Sequence, residues 1–254
     1  MATMCGRYAA SRRPEDLVEE FEVERVEVRQ PLPPDWNVAP TKQVYAVLTR
    51  AHGGQDEPRR TLRVLRWGLV PSWAKDPSIG SRMINARLET AAEKPAFRRA
   101  FSRRRCLVPA DGYYEWYTPA QPGGGSGARP RKQPFFIHRA DGRPLALAGI
   151  YEFWHEPGAD PQDPAAWTTT MALLTTSAPD DTGRIHDRAP LLLEPASFEA
   201  WLDPARTDPA QVLELLVPAA PGLLEAYPVS TAVNNVRSNG PHLLDPLPPE
   251  PPVA

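Results

Sequence analysis

The sequence predicts an α+β fold: one domain with a curved, mostly antiparallel, barrel-like β core and short peripheral helices. Three observations lead there. Runs rich in β-branched and aromatic residues recur at 44–49, 61–67, 106–108, 135–138, 145–154 and 168–176, a composition that suits a pleated, partly buried surface. These runs do not alternate regularly with helical patterns, which argues against a doubly wound parallel sheet. The helical patterns that do occur are short, and each follows a proline.

Proline is well placed in a first helical turn, where its missing N–H costs nothing. Pro14 precedes Leu17, Val18 and Phe21, and Pro95 precedes Phe97, Ala100 and Phe101. Pro195 precedes Phe198, Trp201 and Leu202, and Pro209 precedes Val212, Leu215 and Leu216. Each set has the three- or four-residue spacing of a helix with one apolar stripe. Residues 52–60 are polar and separate two strand-like runs, as in a hairpin. Residues 119–131 carry Gly-Gly-Gly-Ser-Gly, and residues 156–166 are acidic and Pro-rich; both read as loops. The domain is expected to span 5–241, with a Pro-rich, disordered tail at 242–254.

A chain of 254 residues with 41% apolar and 24% charged residues has the composition of a globular protein with a sizeable core. No apolar run approaches the length of a membrane span, and the first residues lack a signal-peptide pattern. The expected location is therefore cytoplasmic or nucleoid-associated, and the expected state is a monomer. Cys5 and Cys106 are the two cysteines, without a C-x-x-C spacing, and the five histidines are scattered. That excludes a zinc-ribbon pattern, and no motif for a metal or nucleotide cofactor is present. The net charge of −2 provides no global basic field. A local one is available in Arg98, Arg99, Arg103, Arg104 and Arg105, with Arg82 and Arg87 upstream; taken alone, the run reads as a solvated helix face and does not establish DNA binding.

Five segments could carry chemistry. Met4-Cys5-Gly6-Arg7-Tyr8 places a methionine directly before a cysteine. If translation starts at Met4 and Met4 is removed, Cys5 offers an amine and a thiol on adjacent carbons. That pair closes a five-membered thiazolidine with an aldehyde, and an α-amine has a large neutral fraction near neutral pH. On these residues alone, Cys5 is also explained as a small buried hydrophobe. Asp111-Gly112-Tyr113-Tyr114-Glu115-Trp116 sets Glu115 between aromatics at a strand position, where desolvation raises a carboxyl pKa and suits it to proton transfer. A solvent-facing glutamate alternating with core aromatics is the alternative. His186 sits beside Asp187, Arg184 and Arg188, as a proton donor, a phosphate contact or a plain surface histidine. Asn85 and Arg87, two apart, share a face if extended. Trp67 and Trp73 flank a Gly/Pro-interrupted stretch and are either core residues or stacking platforms for unpaired bases.

The ordered set resembles the SOS response-associated peptidase (SRAP) family, whose members shield abasic sites by covalent crosslinking to single-stranded DNA. It comprises Cys5-Gly6-Arg7-Tyr8, Trp36-Asn37-Val38-Ala39-Pro40, the segment 66–73, Asn85-Ala86-Arg87, 105–116, 146–150, 184–190, Asn235-Val236-Arg237 and Gly240-Pro241. The resemblance implies that Cys5 forms the thiazolidine, Glu115 shuttles protons, His186 donates a proton to the sugar and Asn85 orients the Cys5 amine. Arg87, with Arg7 and Arg82, would hold phosphates, and Trp67 and Trp73 would prop apart or cover bases. Single-stranded DNA with an abasic site would be the partner. Leu88 and Ala189 depart from the family pattern, as does the Met1-Ala2-Thr3 extension, which would leave Cys5 internal if Met1 is the start. Two other functions compete: a cysteine peptidase with Cys5 as nucleophile and His186 as base, and a non-covalent single-strand-binding module.

Overall fold

The computed structural model describes residues 5–50, 57–119, 132–216 and 220–248. The strands are β1 (Tyr8–Ala10), β2 (Arg25–Glu27), β3 (Asp35–Val38), β4 (Gln43–Arg50), β5 (Arg59–Trp67) and β6 (Asn85–Arg87). They continue with β7 (Arg105–Ala110), β8 (Gly112–Tyr117), β9 (Gln133–Arg139), β10 (Leu145–His155), β11 (Trp167–Ser177), β12 (Arg188–Pro190) and β13 (Leu224–Pro228). Five of them close a barrel in the order β11-β10-β7-β4-β5. Every step is antiparallel except the closure, where β5 meets β11 in parallel at Arg66↔Thr170 and Trp67↔Met171. A second sheet, β13-β9-β8-β1-β3, carries the N-terminal segment and the strand with Glu115.

Alternation along the strands sorts side chains into two cores. Val44, Ala46 and Leu48 of β4, Leu65 and Trp67 of β5, Cys106, Val108 and Ala110 of β7, Leu145, Leu147 and Tyr151 of β10, and Met171 and Leu173 of β11 fill the interior. Their neighbours, including Val47, Leu62, Leu107, Ala148 and Leu174, pack outward against Leu17, Phe21, Phe101, Phe198 and Trp201 of the helices. Both faces are covered, so these strands read as nearly continuous apolar runs. At Gly149 the interior is tight enough that an added Cβ would lie 2.8 Å from Cys106 Sγ. Arg105 points outward and is buried, its guanidinium donating to the carbonyls of Phe101, Ser102, Trp201, Asp203 and Arg206.

The α+β class and the six expected strands are present, each extended by up to two residues at an end or, for the β7 pattern, from three residues to six. The β4–β5 pair is a hairpin, with Arg50 opposite Arg59; residues 52–56 of the turn expected at 52–60 lie outside the described residues, as do 120–131 of the Gly-rich loop. The helices are Pro14–Glu20, Arg98–Arg103, Phe198–Leu202 and Pro209–Leu213, as the prolines suggested, plus single turns at Leu88–Ala91 and Asp180–Gly183. The expected boundary at Pro241 needs correction. Pro241–Leu244 forms a 3-10 turn whose Leu243 is buried against Ala9 and Tyr114, and Leu247 N–H donates to Pro228 O. The packed fold therefore runs past Pro241, and residues 249–254 lie outside the described part. Among the described residues no helix is long and apolar enough to cross a membrane.

Candidate active site

Cys5 lies at one end of the barrel interior. It has no exposed surface and belongs to the same cluster as Tyr8, Trp67 and Ile84. Tyr8 packs on Trp67 with ring centroids 5.1 Å apart, and Trp67 Nε1 donates to Ile84 O at 2.9 Å. This contact aligns the N-terminal strand with the segment that leads into β6. β1 pairs with β8, Tyr8 opposite Tyr113, and that register places Glu115 beside Cys5. The Cys5 N–H donates to Glu115 Oε1 at 2.7 Å, and Asn85 Nδ2 donates to Cys5 O at 3.2 Å. Cys5 also holds φ at 29°, in the left-handed region that costs a non-glycine residue on the order of 1–3 kcal/mol.

Glu115 is buried, with 2% of its surface exposed. Desolvation raises its carboxyl to about 7, against the hydrogen bonds from the Cys5 and Trp116 N–H groups, which favour the charged form. Nearby Lys132 lowers it and Asp187 raises it. The Cys5 thiol is pushed well above its ordinary value, first by burial and then by the Glu115 charge. The site thus combines a protonated thiol, a carboxyl poised near neutrality and a backbone nitrogen within hydrogen-bond reach of it.

β6 pairs in parallel with β11, Asn85 opposite Leu173. Ala86 is buried between half-buried Asn85 and exposed Arg87, the shared face that the two-residue spacing predicts. His186 follows the Asp180–Gly183 turn. Its Nδ1 lies 3.0 Å from Arg188 N and 3.1 Å from Oδ1 of exposed Asp187. The fixed amide is the better-defined partner; it makes Nδ1 an acceptor and leaves the ring proton on Nε2. Tyr113, opposite Tyr8, lies beside Thr182 and in the field of Cys5 and Glu115, so the His186 loop passes close to the Glu115 strand. Among the described residues no hydrogen bond joins Cys5 to His186.

The aromatic and basic residues divide. Trp67 is wholly buried, its indole N–H used inside the fold; this corrects the expectation that it covers bases. Trp73 is 61% exposed on a turn anchored by Trp154 Nε1 donating to Ala74 O. Arg82 and Arg87 are exposed on the same stretch between β5 and the Leu88–Ala91 turn. Arg7 is half-buried and engaged: Nη1 donates to Asn37 Oδ1 at 2.8 Å and Val233 O at 2.9 Å, and the guanidinium lies 6.0 Å from the Trp116 ring centroid. It ties the Cys5 segment to the C-terminal segment rather than facing solvent with a free guanidinium. Asn37, whose part in the motif sequence reasoning did not resolve, donates to the carbonyls of Val233, Asn235 and Ser238. Two of the three departures are packing positions: Leu88 starts a turn against the outer core, and Ala189 is buried in β12.

The SRAP family model, SOS response associated peptidase, matches residues 4–236. The chain is similar to the abasic site processing protein YoqW of Bacillus subtilis, 35% identical over 95% of this chain and 99% of that one. It is also similar to YedK of Escherichia coli, an abasic site processing protein, 32% identical over 96% of this chain and 100% of that one. Among solved structures, a phage-related protein of Bordetella bronchiseptica superposes with a TM-score of 0.63 at 32% identity, covering 89% of this chain and 94% of that one. A Bacteroides thetaiotaomicron protein shares the fold with a TM-score of 0.76 at 24% identity, covering 96% of this chain and 100% of that one. With its motifs in order on a matching fold, this chain belongs to the SOS response associated peptidase family.

Proposed function

We propose that this protein captures abasic sites in single-stranded DNA by closing a thiazolidine ring between Cys5 and the ring-opened sugar aldehyde, once the residues before Cys5 are removed. The observation that carries this reading is the 2.7 Å contact between the Cys5 nitrogen and buried Glu115. The Cys5 amide N–H stands where the freed α-amine would be. The strained φ of Cys5 supports the same reading, because an N-terminal residue has no preceding carbonyl to clash with.

The chemistry follows from these groups. Glu115 takes a proton from the α-ammonium, and the neutral amine adds to the aldehyde carbon. Glu115 returns a proton to the carbinolamine hydroxyl, which leaves as water and gives the Schiff base. Sγ then adds to the imine carbon; the C–S bond forms, and the thiol proton ends on the nitrogen. One water leaves and no oxidant is needed. Burial raises the Glu115 carboxyl above its ordinary value, which narrows its distance from the amine's range and suits it to exchange protons in both directions, and burial keeps the thiol protonated for the last step. His186 Nε2–H would donate to the departing sugar ring oxygen during opening, and Asn85 would hold Cys5 through its carbonyl. Trp73, Arg82 and Arg87 would contact bases and phosphates.

The test is a denaturing gel of the chain begun at Met4, with removal of Met4 verified, against an oligonucleotide carrying one abasic site. A slow band that needs the lesion and vanishes with Cys5→Ala is the expected result. Binding that survives Cys5→Ala and disappears in denaturant would leave only a single-strand-binding module.

A further inference from the structure

The opposite mouth of the barrel has a different lining. Alternation along β4 continues Val44, Ala46, Leu48 to Arg50, and along β5 it runs back from Trp67 and Leu65 to Arg63. On β7 it runs back from Val108 and Cys106 to Arg104, whose carbonyl extends the ladder by accepting from Tyr151 N–H. On β10 it reaches Tyr151 and Phe153, which pack edge to face at 5.6 Å. Three neighbouring barrel strands therefore aim an arginine at one opening. The Arg50 and Arg104 guanidiniums lie 5.0 and 5.4 Å from the Phe153 ring centroid, and Arg50, Arg104 and Arg63 all act electrostatically on the Tyr151 hydroxyl.

The charges there are not balanced. Arg104 pairs with buried Glu152. Arg63 makes a long 3.4 Å contact to Glu27, which Arg25 also contacts at 3.2 Å. Arg63 Nη1 is buried and has no hydrogen-bond partner among the described residues. Arg50 makes no ion pair among the described residues and stands opposite Arg59 in the hairpin, a like-charge cross-strand pair that opposes folding. A buried guanidinium donor without an acceptor, beside uncompensated like charges, is the arrangement that an oxyanion relieves. Mouths of small barrels are places where ligands settle.

We infer that this mouth is a phosphate-binding site formed by Arg50, Arg63 and Arg104 over Tyr151 and Phe153. The planar guanidiniums supply forked donors matched to phosphate oxygens, and the aromatic floor excludes water from one side. The phosphate is carried by a nucleic-acid backbone or by a free mononucleotide. The site stands apart from Cys5 and does not depend on the proposed capture chemistry.

The experiment titrates inorganic phosphate into the full chain by calorimetry, at an ionic strength held constant with sodium chloride. Wild type, Arg50→Gln and Arg63→Gln are compared, each checked by thermal melting so that a misfolded variant does not pass for a lost site. Saturable binding by wild type, weakened about tenfold in either folded variant, is the expected result. Heats equal to the sodium chloride blank, or equal between wild type and Arg50→Gln, would overturn the site. Competition then separates the sources. Displacement of phosphate by an intact single-stranded oligonucleotide assigns the site to the backbone, and displacement by a mononucleotide alone assigns it to free nucleotide. Displacement by neither also overturns the proposal.

Discussion

The two mouths of one barrel are tuned by opposite means. At the first, Cys5, Glu115 and Asn85 are withdrawn from water, and burial sets the chemistry: the carboxyl rises to about 7 and the thiol rises with it. At the second, Arg50, Arg63 and Arg104 crowd together, and excess like charge sets the chemistry. Between them the interior is solid with apolar side chains. The same two-residue alternation builds the core and both mouths, and the inward-facing residue at each strand end decides what a mouth can do.

The largest expected effect breaks the first mouth. Glu115→Gln keeps the shape but removes the proton shuttle, and should slow crosslink formation in single-turnover gels by roughly 100- to 10,000-fold. Next, the two tryptophans should separate cleanly. Trp67→Ala empties a buried site and should cost about 3–5 kcal/mol in denaturant melts. Trp73→Ala should leave stability unchanged and weaken non-covalent binding of intact single-stranded DNA by about 1–3 kcal/mol.

A smaller effect comes from pH. Between its ordinary 4.5 and about 7, folded Glu115 holds a proton that the unfolded chain has released. Stability should therefore fall as pH rises through that window, by on the order of 3 kcal/mol, and this contribution is flat above it. The Glu115→Gln variant should lack this fall when melting temperature is followed against pH. Freeing the Cys5 amine should shrink it, because an ammonium at that distance stabilises the carboxylate. The smallest effect belongs to the second mouth: Arg50→Gln should change stability by no more than about 0.5 kcal/mol, and in the stabilising direction, as it relieves repulsion from Arg59.

Much of the fold is legible in the sequence. Strands buried on both faces announced themselves as apolar runs, and prolines marked the helix starts. The three-residue strands β1, β2, β6 and β12 were not legible, because pairing partners rather than composition make them strands. Glu115 was legible through its aromatic neighbours, yet only the β1–β8 register shows that it meets the Cys5 nitrogen. The tryptophans were ambiguous in sequence: Trp67 and Trp73 stand six residues apart, one wholly buried and one largely exposed. Arg104 was hidden inside a basic run that reads as a solvated helix face. Strand alternation turns Arg104 to the barrel mouth and its neighbour Arg105 into a buried clamp on helix carbonyls.

The most direct measurement is peptide mapping by mass spectrometry of the protein–DNA adduct formed on an abasic oligonucleotide. The expected product is a peptide that begins at Cys5 and carries the sugar with the loss of one water, with no free thiol at that residue. An adduct on a lysine, on Cys106, or on a peptide in which Met4 still precedes Cys5 would contradict capture by the Cys5 amine and thiol.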